Sequence, residues 1–287
     1  MKKALLATIF FLLVILLLQN EQDVYEIKIY FCPENNCEKV YVDNILNNDH
    51  VFCAFYSLSN EAIINALNKV NSEIIVHEGN RRGLMHHKFC VLNNTHLILG
   101  SANPTDNDFF NNHNNVLLIK SSRQVERYTA EFNRLSGVNY NYPSNLDLKS
   151  YFCPYHSCQD VILNILNSAE ESVFVLSFTF TDHDIARSLV RKNLKGLDVK
   201  VVTDNFQNKQ YWVEPFLSKN SIDVKVNTGN IQHNKVFIID DDIVITGSYN
   251  PTRAAHTINN ENLLVIENEQ VNIIYKEYFY TIWNRNI

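Results

Sequence analysis

Two hydrophobic regimes divide this chain. Residues 4–18 (ALLATIFFLLVILLL) form an uncharged apolar run of 15 residues. From Tyr25 onward, short runs rich in branched and aromatic residues alternate with stretches whose apolar residues recur every three or four positions. Runs of the first kind are VFCAFYSL (51–58), EIIVHE (73–78), VFVLSFTF (173–180) and DVKVVTD (198–204). They predict strands, because such side chains fit a pleated surface. Stretches of the second kind include Val40, Val42, Ile45 and Leu46; EAIINALNKV (61–70); Val161, Ile162, Ile165 and Leu166; and DIARSLVRKNL (184–194). Amphipathic closing helices are predicted around Val125, Tyr128, Phe132 and Leu135, and around Ile274, Tyr275, Tyr278, Ile282 and Trp283. Strands alternating with helices predict an α/β architecture.

The order of these elements occurs twice. YFCP at 30–33 answers YFCP at 151–154, and MHHKFCVLNNTHLILGSANPT (85–105) aligns without a gap to QHNKVFIIDDDIVITGSYNPT (232–252). The predicted organisation is a first repeat over 24–137, a linker over 138–147 and a second repeat over 148–287, related by a pseudo-twofold axis. The first repeat is abbreviated. Only Arg81–Met85 precedes its histidine motif, where the second repeat carries Phe206–Gln232, which reads as an extra helix and strand.

Within each aligned stretch the pattern predicts a hairpin: a strand carrying His and Lys, a turn at Asn93-Asn94-Thr95 or Asp240-Asp241-Asp242, and a return strand ending at Gly-Ser. His86 and Lys88 share one face, as do His233 and Lys235. Packing for stability explains the apolar residues of such a hairpin. It does not explain a Lys aimed twice at an interior, which is costly without an anion to meet it.

These residues resemble the signature of the phospholipase D superfamily, H-x-K-x4-D-x6-G-S-x-N, usually present twice. His233, Lys235, Asp240, Gly247, Ser248 and Asn250 match throughout; His86, Lys88, Gly100, Ser101 and Asn103 match in the first copy, where Asn93 stands in the place of Asp. The compact halves and the Phe-Cys-Pro loops look most like the nuclease and mitochondrial cardiolipin hydrolase branch. The resemblance implies two fused α-β-α repeats with the active site at their interface, and a phosphodiesterase that works through a phosphohistidine intermediate and needs no cofactor and no metal. Phosphodiester cleavage needs a nucleophile at phosphorus, an acid for the leaving oxygen and positive charge on the other oxygens. Two histidines facing each other supply the first two. Lys88, Lys235, Ser101, Ser248, Asn103 and Asn250 supply the third, and Asp240 counts among the motif's catalytic residues. Eleven residues after the motif Asn, the family often carries an acid that orients the His of its own motif: Glu261 in the second half, Asn114 in the first. On that pairing a carboxylate favours a protonated His233 and an amide a neutral His86, making His86 the nucleophile and His233 the general acid.

Composition narrows the partners. Hydrophobic and charged fractions of 46% and 20% are those of a globular protein, and a net charge of -6 excludes nucleic-acid binding by bulk positive charge. The candidate substrates are single-stranded nucleic acid, slightly favoured, a phospholipid such as cardiolipin, or an envelope-polymer phosphodiester. A non-catalytic, membrane-held polyanion-binding protein is the alternative of a different class. Arg81, Arg82, Lys120, Arg253 and His256 are candidate groove cations, and Phe109, Phe110 and Tyr249 candidate stacking rings. One chain holds both motifs, so a monomer suffices.

Lys2 and Lys3 before the apolar run make residues 1–20 a signal-anchor or signal peptide. An uncleaved anchor is favoured, which places the catalytic part outside the cytoplasm at the cell membrane; cleavage would make the protein secreted. A buried N-terminal helix is the remaining reading. Cys32 with Cys37 and Cys153 with Cys158 read as short-loop disulfides, with a four-thiolate zinc site as the alternative. Cys53 and Cys90 read as buried thiols or a third bridge.

Overall fold

The computed structural model describes residues 25–77, 83–143, 148–206 and 209–285. The first half runs β1 (Glu26–Cys32), α1 (Cys37–Leu46), β2 (His50–Phe55), α2 (Glu61–Leu67), β3 (Asn71–Val76), β4 (Lys88–Leu92), β5 (His96–Gly100), α3 (Asp106–Phe110), β6 (Asn114–Lys120) and α4 (Ser122–Leu135). The second repeats it as β7 (Leu148–Cys153), α5 (Cys158–Ser168), β8 (Ser172–Ser177), α6 (His183–Leu194) and β9 (Asp198–Asp204). It then inserts α7 (Glu214–Lys219) and β10 (Asp223–Asn227), and resumes with β11 (Lys235–Ile239), β12 (Ile243–Gly247), α8 (Arg253–Thr257), β13 (Glu261–Glu267) and α9 (Glu269–Trp283). The helix and strand expected in the longer segment are α7 and β10.

Each half builds one sheet in the same order: β1-β6-β5-β4-β2-β3 in the first, and β7-β13-β12-β11-β8-β9 with β10 added at the edge in the second. Within each sheet, β2–β3 and β8–β9 are parallel pairs, because a helix carries the chain back between them. The hairpins β4–β5 and β11–β12 are antiparallel.

Three apolar clusters give the layering. Cys37, Tyr41, Ile45 and Ile63 pack α1 and α2 on the outer face of the first sheet. Ile162, Leu166, Ile185 and Leu217 do the same for α5, α6 and α7 on the second. The third cluster draws on both halves, with Phe89, Leu99 and Tyr128 meeting Phe152, Val236, Ile266 and Tyr275. Its inter-half contacts are reciprocal. Asn115 Nδ2 donates to Tyr275 Oη at 3.0 Å, and its counterpart Asn262 donates to Tyr128 Oη at 2.9 Å. Phe31 meets Tyr275 edge-on at 5.3 Å, and its counterpart Phe152 meets Tyr128 edge-on at 5.0 Å. Such exchange of equivalent contacts is what a pseudo-twofold axis produces.

The glycines that end β5 and β12 are steric requirements. A Cβ on Gly100 would lie 2.1 Å from Asn115 O, and one on Gly247 2.4 Å from Asn262 O. Those carbonyls accept hydrogen bonds from Ser101 N and Ser248 N, which draws the backbones together at the motif.

All six cysteines are paired: Cys32–Cys37, Cys153–Cys158 and Cys53–Cys90. Cys53 and Cys90 face each other in register across β2 and β4, so the third bridge is the reading that holds, and the four loop thiols are disulfides rather than a zinc site. The apolar leader lies outside the described residues. Among the described residues no helix is long and apolar enough to cross a membrane.

Candidate active site

The two halves are stitched together by the backbone beside each motif histidine. Met85 lies in a parallel bridge against Asn260, and Gln232 in one against His113. His86 N donates to Asn260 O at 2.9 Å, and His233 N to His113 O at 2.9 Å. Each histidine is therefore delivered next to the strand start of the opposite half, where Glu261 and Asn114 stand. The consequence corrects the own-motif pairing expected from sequence: His86 Nδ1 meets Glu261 Oε2 at 2.8 Å, and His233 Nδ1 meets Asn114 Oδ1 at 2.8 Å.

Both histidines are buried, as are Lys88 and Lys235. Each ammonium donates to the carbonyl of its own motif histidine, Lys88 Nζ to His86 O at 2.5 Å and Lys235 Nζ to His233 O. Four basic groups in one dry site repel each other's protons. Burial, with Lys88 and Lys235 adding to it, pulls His86 down to about 4 against the upward pull of Glu261. Burial and the adjacent Lys235 hold His233 well below the ordinary range, and Asp108 opposes them. Lys88 falls to about 7 through burial, and Lys235 falls well below its usual value through burial and Lys88. Burial pushes Glu261 up, but His86, Lys88 and the Ser248 hydroxyl outweigh it and leave its carboxyl below the ordinary range. The site is thus short of protons and shaped to regain them when an anion enters.

The motif serines and Asp240 have other duties than those expected. Ser248 Oγ donates to Glu261 Oε2 at 2.6 Å, and Ser101 Oγ to Asn114 Oδ1 at 2.9 Å. Each hydroxyl also accepts from a backbone N–H, Asn262 N and Asn115 N respectively. They therefore orient the groups that orient the histidines. Asn103 and Asn250 are half-buried at the ends of the hairpins, and the Asn103 amide donates to Asp108 Oδ2 at 2.7 Å. Asp240 is not brought to the histidines: it sits in the β11–β12 turn at φ 49°, and its carboxylate accepts from the N–H groups of Glu170, Glu171 and Ser172. Asn93, at φ 45°, accepts from His50 N at 2.8 Å in the matching turn. The departure from the signature at 93 thus conserves the turn's geometry.

Of the other candidates, Arg81 and Arg82 lie outside the described residues. Lys120 is at the far end of β6 from Asn114, about 20 Å along the strand, so it does not line the site. Arg253 is exposed and His256 half-buried on α8, just past the second motif. Phe109 and Tyr249 are each 1% exposed and belong to the core, so neither offers a face to a base; Phe110 is 49% exposed.

The rings that do flank the histidines were hidden in the predicted strands. Tyr56, one residue past β2, packs 5.0 Å from His86 and stacks on His77 at 5.3 Å. Phe178, one residue past β8, packs 4.9 Å from His233 and stacks on Phe206 at 6.1 Å. Lys88 lies over Tyr56 and Lys235 over Phe178, at 5.1 and 5.3 Å from the ring centres. The aligned positions of Tyr56 and Phe178 at the ends of VFCAFY and VFVLSF were the available signal. His77 and Asp204 are a second matched pair, accepting from Met85 N and Gln232 N just before the histidines.

Comparison with known proteins identifies the family. Residues 34–136 and 162–283 match the family described as "Cardiolipin synthase, PLD-like domain". A phospholipase D of Rickettsia typhi is 34% identical over 147 residues, covering 50% of this chain and 72% of the relative. A mitochondrial cardiolipin hydrolase of Chlamydomonas reinhardtii is 29% identical over 124 residues, covering 42% of this chain and 56% of the relative. In fold, the crystal structure of phosphatidylserine synthase from Haemophilus influenzae is similar over 88% of this chain and 86% of that one, with a TM-score of 0.68 at 10% identity. The chain belongs to the phospholipase D-like family and is a phosphodiester hydrolase of that superfamily.

Proposed function

We propose that His86 attacks phosphorus and His233 serves as the general acid and base, and that the substrate is a single-stranded nucleic acid. The observation that carries the assignment of roles is the crossed pairing of Nδ1 groups. His86 Nδ1–H, held by the Glu261 carboxylate, leaves the Nε2 lone pair free to attack. When the P–N bond forms the ring becomes cationic, and Glu261 is the counter-charge already in place. His233 Nδ1–H donates to a neutral amide, which stabilises the imidazolium less and makes it the readier proton donor. The departing alkoxide takes that proton as the P–O bond breaks. A water then gives a proton to His233 and its oxygen to phosphorus, releasing His86. Lys88 and Lys235 face the non-bridging oxygens. His86 thus keeps the role expected from sequence, with the reason for it inverted.

The nucleic-acid reading is supported by the stacked pairs Tyr56–His77 and Phe178–Phe206 on either side of the histidines, since bases stack on rings regardless of sequence. Phospholipid is the second reading, favoured by the names of the relatives. A cavity of about 610 Å³ lined by Val125, Tyr140 and Pro143 opens beside Asn94, at the turn end of the β4–β5 hairpin away from His86, so it does not extend the site into an acyl-chain pocket. The leader and the three disulfides support export, with the catalytic part outside the cytoplasm and tethered to the membrane.

The test uses the full chain with disulfides intact, in excess EDTA, on a labelled single-stranded oligonucleotide and separately on cardiolipin-containing vesicles, beside His233→Ala. Oligonucleotide cleavage by the wild type alone is the expected result. Turnover of the vesicles alone would replace nucleic acid by phospholipid, and loss of activity in EDTA would overturn the metal-independent route.

A further inference from the structure

His233 lacks the carboxylate partner that His86 has, yet a carboxylate is present beside it. Asp108 Oδ2 lies 3.7 Å from His233 Nδ1, and the Asp108 side chain is 6% exposed. It enters from α3, a part of the first half where the second half has no acid: the matching position is Ala255, and both N–H groups are capped by the equivalent threonines, Thr105 and Thr252, at 3.2 Å. Conversely, the second half carries Glu261 where the first has Asn114. Each half thus presents one carboxylate to the opposite histidine, mounted at different places. The supporting amide follows the carboxylate. Asn112 Nδ2 donates to Asp108 Oδ1 at 2.7 Å, and its counterpart Asn259 donates to Glu261 Oε1 at 3.3 Å.

We propose that Asp108 is a positioning residue for His233, supplying from α3 the negative charge that Asn114 does not and so keeping His233 able to carry the proton it transfers. This rests on the roles assigned above. Among the described residues, the charged or titratable groups that act most on His233 besides Asp108 are Lys235 on its own strand, and Lys88 and His86 from the first half; all three disfavour its protonated form, whereas Asp108 favours it. An amide can orient the ring but contributes no net charge against two lysines. Asp108 is itself fixed by Asn103, whose N and Nδ2 donate to Oδ2 at 2.8 and 2.7 Å, so the charge is held rigidly at that distance.

The test compares wild type, Asp108→Asn, Asn114→Asp and the double variant, reading the imidazole titration of His233 by NMR in the free protein and the pH dependence of kcat. Loss of Asp108 lowers the His233 midpoint by about one unit, moves the alkaline limb of kcat about one unit toward acid, and cuts kcat above the limb about tenfold. The double variant, with a carboxylate at 114, restores both; a merely structural role for Asp108 would not be rescued there. If Asp108→Asn does not fold, Asn114→Asp alone decides: two carboxylates then face the ring, and its midpoint rises. An unmoved midpoint in either folded variant, or a double variant that stays at the Asp108→Asn value, overturns the proposal. Failure of the assigned reaction shows separately, as no turnover by the wild type at any pH while the titration still responds.

Discussion

His86 and His233 are delivered by the same backbone device and differ in what meets Nδ1. One has a buried carboxylate at 2.8 Å, the other an amide at 2.8 Å with a carboxylate behind it at 3.7 Å. The two halves differ at equivalent positions, Glu261 against Asn114 and Ala255 against Asp108, and on the proposed mechanism that asymmetry falls where the chemistry is asymmetric. A nucleophile benefits from a counter-charge on its far nitrogen as it becomes cationic. A general acid must be protonated and also willing to release the proton, which a more distant charge serves better than a direct ion pair.

The strongest way to break this comparison is to make both partners amides. Glu261→Gln keeps an acceptor for Ser248 Oγ but removes the charge that answers the cationic ring. The expected loss in kcat is about a hundred- to ten-thousand-fold, with KM little changed and the melting curve intact. A loss below tenfold would mean that His86 needs no counter-charge, and the nucleophile would then be sought at His233 by isolating the phosphorylated peptide.

Proton inventory sharpens the same comparison at moderate cost. Lys88 at about 7 and His86 at about 4 sit below their usual values chiefly through burial, and His233 and Lys235 are depressed as well. A bound phosphate anion favours every protonated form, so each midpoint rises on binding. Between the free and bound midpoints, binding takes up protons; below the free midpoints the groups are already charged and uptake vanishes. Calorimetry with inorganic sulfate, an anion that carries no titrating proton near pH 7, in two buffers of different ionisation enthalpy, should register uptake of about one proton per site. No proton exchanged on binding would show that the empty site is already fully charged.

Much of this arrangement was legible in the sequence, for a physical reason: duplication printed each element twice, so a strand pattern ambiguous in one copy was resolved by the other. The hairpins, the extra α7 and β10 and the motif residues follow from that. The partner of each histidine did not, because the pairing spans 175 residues for His86–Glu261 and 119 for His233–Asn114 and is set by two isolated bridges that no local pattern encodes. Asp108 was invisible as one acid in a polar turn. Phe109 and Phe110 look alike in sequence, yet the helix buries the first and exposes the second. Tyr56 and Phe178 read as strand residues because they stand one position beyond strands whose other aromatics are core.

The smallest expected effect concerns the two turns. Asp240 accepts three backbone N–H groups, from Glu170, Glu171 and Ser172, whereas Asn93 accepts one, from His50. Both residues hold a positive φ that Asn and Asp tolerate better than most. Neither is hydrogen-bonded to His86 or His233, so the signature's Asp is a clamp between hairpin and strand. Asp240→Asn should therefore leave kcat within about twofold and lower stability by about 1 kcal/mol, since a neutral acceptor replaces a charged one. For a chain of this size that is a fall in Tm of about 2–4 °C. Asn93→Asp should likewise leave kcat unchanged. A collapse of kcat in Asp240→Asn without a matching loss of stability would mean that the turn controls the site through Lys235 and His233, and that the two halves differ at a second point in their chemistry.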